Sequence, residues 1–95
     1  MTVLEVKYRN EALRVELDGV GSAALFINNI KRMQDTLTTL PGTLRLSSSV
    51  QTDYEWHEFI EAIVTFTEKE IGISLRASNS EIAGQTYPVQ IDDHR

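Results

Sequence analysis

Three groups of residues in this 95-residue chain have types and spacings that could do chemistry. Asp53, His57 and Glu61 recur every fourth position. On a helix they would share one stripe, where a His and two carboxylates can hold a divalent cation or share a proton. One helix offers poor tetrahedral geometry, and the other histidine, His94, falls in the C-terminal tail. A solvated acidic face explains the same residues. Gly19-Val20-Gly21-Ser22 is the second group. At the head of a helix, Gly19, Gly21 and Ser22 would present backbone N–H groups to an anion. It is not a phosphate loop, because no Gly-Lys-Ser/Thr follows and no full dinucleotide fingerprint is present. A tight turn with Ser22 as N-cap is the plainer account. Trp56 and Tyr54 form the third group. Trp56 keeps phase with Phe59, Ile60 and Ile63, which assigns it to a core, whereas Tyr54 is freer to make a surface contact.

Other chemistries find less support. No Gly-x-Ser-x-Gly occurs, and neither histidine has an orienting constellation around it. There is no cysteine, which excludes disulfides, thiolate metal sites and cysteine nucleophiles. No catalytic set, metal or cofactor is expected. Acids outnumber bases 14 to 9, for a net charge of −5, so a polyanion is a disfavoured partner and a basic protein a favoured one. No run approaches the ~18 apolar residues of a membrane span. The N-terminus, with Glu5 and no long apolar stretch, does not read as a secretory signal. The expected setting is the cytoplasm, consistent with the absence of cysteine.

These residues must be positioned by elements whose periods are visible. Leu4, Val6 and Tyr8, then Leu13, Val15 and Leu17, alternate with polar residues on either side of Asn10, which predicts a β-hairpin. Phe26, Ile30, Met33, Leu37 and Leu40 trace a helical face after Ser22, closed by Pro41-Gly42. Leu44, Leu46 and Val50 mark a third strand. Thr52-Asp53-Tyr54-Glu55 forms a Thr-x-x-Glu capping box, and Trp56, Phe59, Ile60, Ile63 and Phe66 continue at helical spacing to Gly72. A competitor exists over the same residues. Ile60, Ala62, Val64 and Phe66 also alternate, and Glu68-Lys69 could turn a hairpin. The helix is preferred because pattern, cap and stop agree. Residues 73–78 form a fourth strand, 79–85 a loop, and Tyr87, Val89 and Ile91 a last strand at an edge, given Pro88. Asp92 to Arg95 reads as a solvated tail.

The expected architecture is a single α+β domain over 1–95, without internal repeat. It is a two-layer sandwich of mixed sheet with two helices on one face, in the order β-β-α-β-α-β-β. Any crossover joining parallel strands would be right-handed.

From Leu13 to Ile91 this pattern resembles the small sulfur-carrier proteins of the bacterial tRNA-thiolation type. Their first strand runs into a Gly-x-x-Cys-Pro turn, matched here by Gly19-Val20-Gly21-Ser22-Ala23. Pro41-Gly42 and Gly72 are similarly placed. Ser22 stands at the sulfur-bearing position and cannot form a persulfide. The resemblance therefore implies the fold and not the transfer chemistry.

The functional expectation is a non-catalytic interaction domain: a regulator, inhibitor or immunity-type partner. Asp53, Tyr54, Glu55, His57, Glu58 and Glu61 would form its contact surface. Two alternatives stand beside it. One is an anion-binding or enzymatic domain built on Gly19–Ser22. The other is a structural homo-oligomer paired through an exposed strand edge at Leu4–Tyr8 or Tyr87–Ile91.

Overall fold

The computed structural model describes residues 2–19, 21–53 and 56–88. They form eight strands: β1 Thr2–Tyr8, β2 Glu11–Leu17, β3 Ser22–Ile27, β4 Ile30–Thr36, β5 Gly42–Asp53, β6 Trp56–Phe66, β7 Glu70–Ala77 and β8 Ser80–Pro88. Every pairing is antiparallel between chain neighbours, giving two four-stranded meanders, β1-β2-β3-β4 and β5-β6-β7-β8. The α+β expectation is thus corrected to all-β. There is no helix and no crossover among the described residues, and the sulfur-carrier resemblance falls with them. Nor does any helix among those residues qualify by length and apolarity to cross a membrane.

The first predicted helix fails at Asn28-Asn29. Both residues have positive φ, 53° and 67°, which is the two-residue turn that matches strand twist. Asn tolerates this region because its side chain hydrogen-bonds locally. Asn28 Oδ1 accepts from the Ala12 N–H at 2.8 Å, and the Asn28 N–H donates to the Ala12 carbonyl at 2.8 Å. The chain therefore reverses where the helix would have run on. Ala23, Leu25 and Ile27 face inward, while Ile30 and Leu40 of the supposed helical face are 62% and 50% exposed. The same turn chemistry recurs at Arg9-Asn10 (φ 48° and 67°) and Ser78-Asn79 (φ 49° and 72°).

The second predicted helix yields to its competitor. Ile60, Ala62, Val64 and Phe66 are all buried, and the chain turns through Glu68-Lys69 into β7. The Thr67 hydroxyl accepts from the Glu70 N–H at 3.0 Å and so holds that turn. The predicted cap at Thr52 gives way to strand: Thr52 and Asp53 end β5, and Tyr54 and Glu55 lie outside the described residues. The predicted hairpin over residues 4–17 and the strand at 43–50 are present within longer elements, and the strand at 73–78 appears as β7, which ends at Ala77. Of the supposed loop at 79–85, Asn79 turns the chain and residues 80–85 belong to β8. The end of the last predicted strand, Val89 to Ile91, and the tail lie outside the described residues.

The two halves share one plan. In the third strand of each, Ala23/Leu25/Ile27 and Ile73/Leu75/Ala77 point inward just before an Asn-containing turn. The inner faces meet in one core with Leu13, Val15, Leu44, Leu46, Ile60 and Val64. Side chains close the two seams between sheets. Tyr87 Oη donates to the Val3 carbonyl, joining β8 to β1. At the other seam the Ser47 N–H donates to Met33 Sδ at 3.3 Å, and Arg32 Nη2 donates to the Ser49 carbonyl at 3.0 Å. The Val3 carbonyl of β1 and the Ser47 N–H and Ser49 carbonyl of β5 are edge groups occupied in this way.

Far-UV circular dichroism should show a single β-sheet minimum and lack the helical double minimum. At the second position of the β7–β8 turn, Asn79→Gly should hold or slightly raise stability in urea unfolding. Asn79→Val should lower it by about 1 kcal/mol, the cost of a branched L-residue at positive φ.

Candidate functional site

Strand alternation divides the predicted contact residues between two faces. From His57 onward, even-numbered positions of β6 point into the core and odd-numbered ones point away. Glu58 is therefore buried, 3% exposed, while His57 and Phe59 are exposed and Glu61 is half-buried on the outer face. A helical stripe Asp53-His57-Glu61 does not exist. His57 and Glu61, four residues apart on one strand, are separated by about 13 Å. Among the described residues no three His, Asp or Glu side chains gather to hold a metal ion.

Glu58 knits one end of the molecule together. Its Oε2 accepts from the Tyr8 hydroxyl at 3.1 Å and from Ser78 Oγ at 2.9 Å, and its Oε1 lies 3.1 Å from Arg9 Nε. Arg9 Nε also donates to Tyr8 Oη at 3.1 Å. That hydrogen bond, with the nearby charge of Glu58, pushes the Arg9 guanidinium above its ordinary value. One carboxylate thus links the β1–β2 turn of the first sheet to the β7–β8 turn of the second. Its oxygens are occupied, and its work is structural.

Beyond this clasp the β5–β6 hairpin projects. The β6–β7 register begins at Ile60 opposite Ala77, and the Phe59 carbonyl still accepts from the Ser78 N–H at 2.9 Å, so among the described residues Trp56 to Glu58 lie beyond the β6–β7 ladder. On the other side, the Met33–Ser47 and Arg32–Ser49 contacts bring β4 only as far as the start of this arm. Gln51 pairs with His57 and Asp53 with Trp56, forming a two-stranded ribbon past the body of the domain. Asp53, Trp56 and His57 share this arm, and Tyr54 and Glu55 lie outside the described residues.

The proposed anion site is not assembled. Ser22 opens a strand rather than a helix. Its buried Oγ accepts from Thr36 Oγ1 at 3.0 Å. Gly19 and Gly21 take positive φ, 82° and 77°, to carry the β2–β3 turn. The Gly21 carbonyl accepts from the Leu37 N–H at 2.8 Å. The helix N-terminus that would gather N–H groups for an anion is absent among the described residues.

Sequence reasoning missed features on the outer face of the second sheet. Phe59, assigned to a core, is 49% exposed there. Ile63, Thr65, Gly72, Ser74, Gly84 and Thr86 line an open depression of about 710 Å³ on the same face. Ser74 Oγ donates to Glu81 Oε1 at 2.6 Å beside it, and Arg45 Nη1 lies 3.7 Å from Glu61 Oε2. The signal was available: Phe59 keeps period-2 phase with His57 and Glu61, both polar. On the first sheet, the outer face holds Arg14 over the Phe26 ring at 4.4 Å, with Arg14 Nε 2.8 Å from Glu16.

No family model matches the chain, and neither a curated protein nor a solved structure matches it.

Glu58→Ala should destabilise the fold by about 2–3 kcal/mol in urea unfolding, because two hydroxyls lose a charged acceptor in a mostly dry site. Arg9→Ala should cost much less, since that guanidinium is hydrated. Equal losses from the two variants would assign the clasp to the ion pair instead.

Proposed function

We propose that this chain is a non-catalytic protein-interaction domain and that the projecting β5–β6 arm is its contact element. The observation that carries the reading is the register: Gln51, Asp53, Trp56 and His57 pair only within their own hairpin among the described strands. A bare two-stranded ribbon is marginal in water, and packing against a partner's surface would stabilise it. The arm's composition fits that role. Residues 53–57 read Asp-Tyr-Glu-Trp-His, two acids and two aromatics within five positions. Aromatic side chains are the commonest anchors at protein interfaces, and flanking acids favour a basic groove. Residues 38–95 carry nine acids against four bases, whereas residues 1–37 carry five of each, so the half bearing the arm holds all of the net negative charge.

The reading keeps Asp53, Tyr54, Glu55, His57 and Glu61 as partner-facing and releases Glu58 to the interior. A basic protein is the favoured partner class, and the cytoplasm is the setting in keeping with a cysteine-free chain.

Affinity capture with Trp56→Ser and with Tyr54→Ser should lose a partner that the parent chain retains, at unchanged melting temperature. Against the purified partner, losing an aromatic anchor should raise Kd roughly 30-fold or more, the counterpart of about 2 kcal/mol. Equal capture by both variants would remove the arm from the interface. Charge reversal at Glu61 tests the acidic contribution, whereas reversal at Glu58 would instead disrupt the clasp.

A further inference from the structure

We propose that the outer face of the second sheet is self-complementary and pairs two copies of this chain face to face. The argument is separate from the arm and rests on where a knob and a hollow stand along β6. Phe59 is the knob, half exposed on a strand whose inner residues are fully packed. The hollow is the depression around Thr65, Gly72 and Gly84. It opens over Gly72, where the sheet carries no side chain, while the Glu81 carboxylate lies against Gly84 at its rim. A Cβ built on Gly72 would meet nothing within 4 Å. Glycine inside a strand costs stability and packs nothing, and it suits a place where another chain approaches closely.

Phe59 and Thr65 lie three residues to either side of Ala62, and Thr65 pairs with Gly72. A two-fold axis between the faces, crossing β6 at Ala62 and perpendicular to the strands, therefore carries each Phe59 onto the other copy's Thr65–Gly72 row. Both knobs fill both hollows in one isologous contact. The same axis exchanges the rows of Glu61 and Ile63. Arg45 pairs with Ile63 in register, so Arg45 of one copy comes diagonal to Glu61 of the other. Charge agrees with shape. Arg45 and Arg76 face Glu61 and Glu81 on these rows, so the patch is balanced within a half of the chain that is otherwise strongly acidic. A second copy meets opposite charges there rather than repulsion.

The size of the face sets the strength. Four strands spaced about 4.8 Å apart and about eight residues long present roughly 500 Å² per copy. Two such faces fall at the low end of specific interfaces, which makes the pairing a reversible one. Sheets pack face to face at about 10 Å, and Gly72 lets the faces close to that spacing around the Phe59 ring.

Sedimentation velocity on the full chain, from micromolar to near-millimolar concentration, tests the proposal. The parent chain should shift from monomer to dimer as concentration rises. Phe59→Asp removes the knob and Gly72→Phe fills the hollow. Each should weaken dimerisation roughly tenfold or more while circular dichroism and the melting temperature report an intact fold. Arg45→Glu and Glu61→Arg should each weaken it, and their combination should recover it. Trp56→Ser, in the arm, should leave the dimer unchanged; because Glu61 stands in both readings, the Trp56 and Phe59 variants are the pair that separates the arm from this face. A monomer at every concentration would overturn the proposal and leave the face to another occupant. So would a dimer equally stable in the Phe59→Asp and Gly72→Phe variants.

Discussion

Burial of two inner faces against each other is the constraint on which the rest of this structure depends. A four-stranded meander alternates apolar and polar residues, so each sheet has one face that water disfavours and no means of covering it alone. Leu13, Val15, Leu25 and Ile27 on one side and Leu46, Ile60, Val64 and Leu75 on the other remove those faces together. Because strand period is two, the register is fixed once one residue of a strand is committed inward. Every exposed feature, including the outer row of β6, follows from that choice.

The sandwich is closed by polar groups that join what the backbone ladders do not. The sheets share no backbone ladder, and their seams are held by Tyr87 to Val3, Met33 to Ser47 and Arg32 to Ser49. At one end Glu58 gathers two turns and both sheets around a single carboxylate. A buried charge is tolerable only when its acceptor capacity is met, and here hydroxyl donors and a guanidinium meet it. The arrangement explains how the β5–β6 arm can extend from a firm base. The clasp sits at the root of the arm, where it ties two turns together.

The candidate surfaces arise where strands outrun their neighbours or lose their side chains. The arm projects because β5 and β6, twelve and eleven residues long, are longer than the other strands, which have six to nine residues. The hollow on the outer face opens over Gly72, with Gly84 on the neighbouring strand at its rim. Neither feature improves the packing of the core. Both are affordable only because the core is complete without them, as the full burial of Ile60, Ala62 and Val64 shows.

Local chemistry in the sequence was enough to place the first hairpin, the strands at 43–50 and 73–78 and the breaks at Pro41 and Gly19. Alternation and turn residues act over a few positions, and no distant partner is needed to read them. The two helices were misread because Phe26-Ile30-Met33 and Trp56-Ile60-Ile63 satisfy a period of 3.6 while their neighbours also satisfy a period of two. Spacing alone does not separate such patterns when hydrophobic residues are this dense. Asn28-Asn29 held the missing signal, since two adjacent turn-forming residues at positive φ reverse a chain that a helix would carry forward. The contact residues were legible as a composition, acids and aromatics between 53 and 61, but not as a surface. Only the cross-strand register decided that Glu58 turns inward while His57, Phe59 and Glu61 turn outward, because which face of a strand is buried depends on the sheet that comes to lie against it.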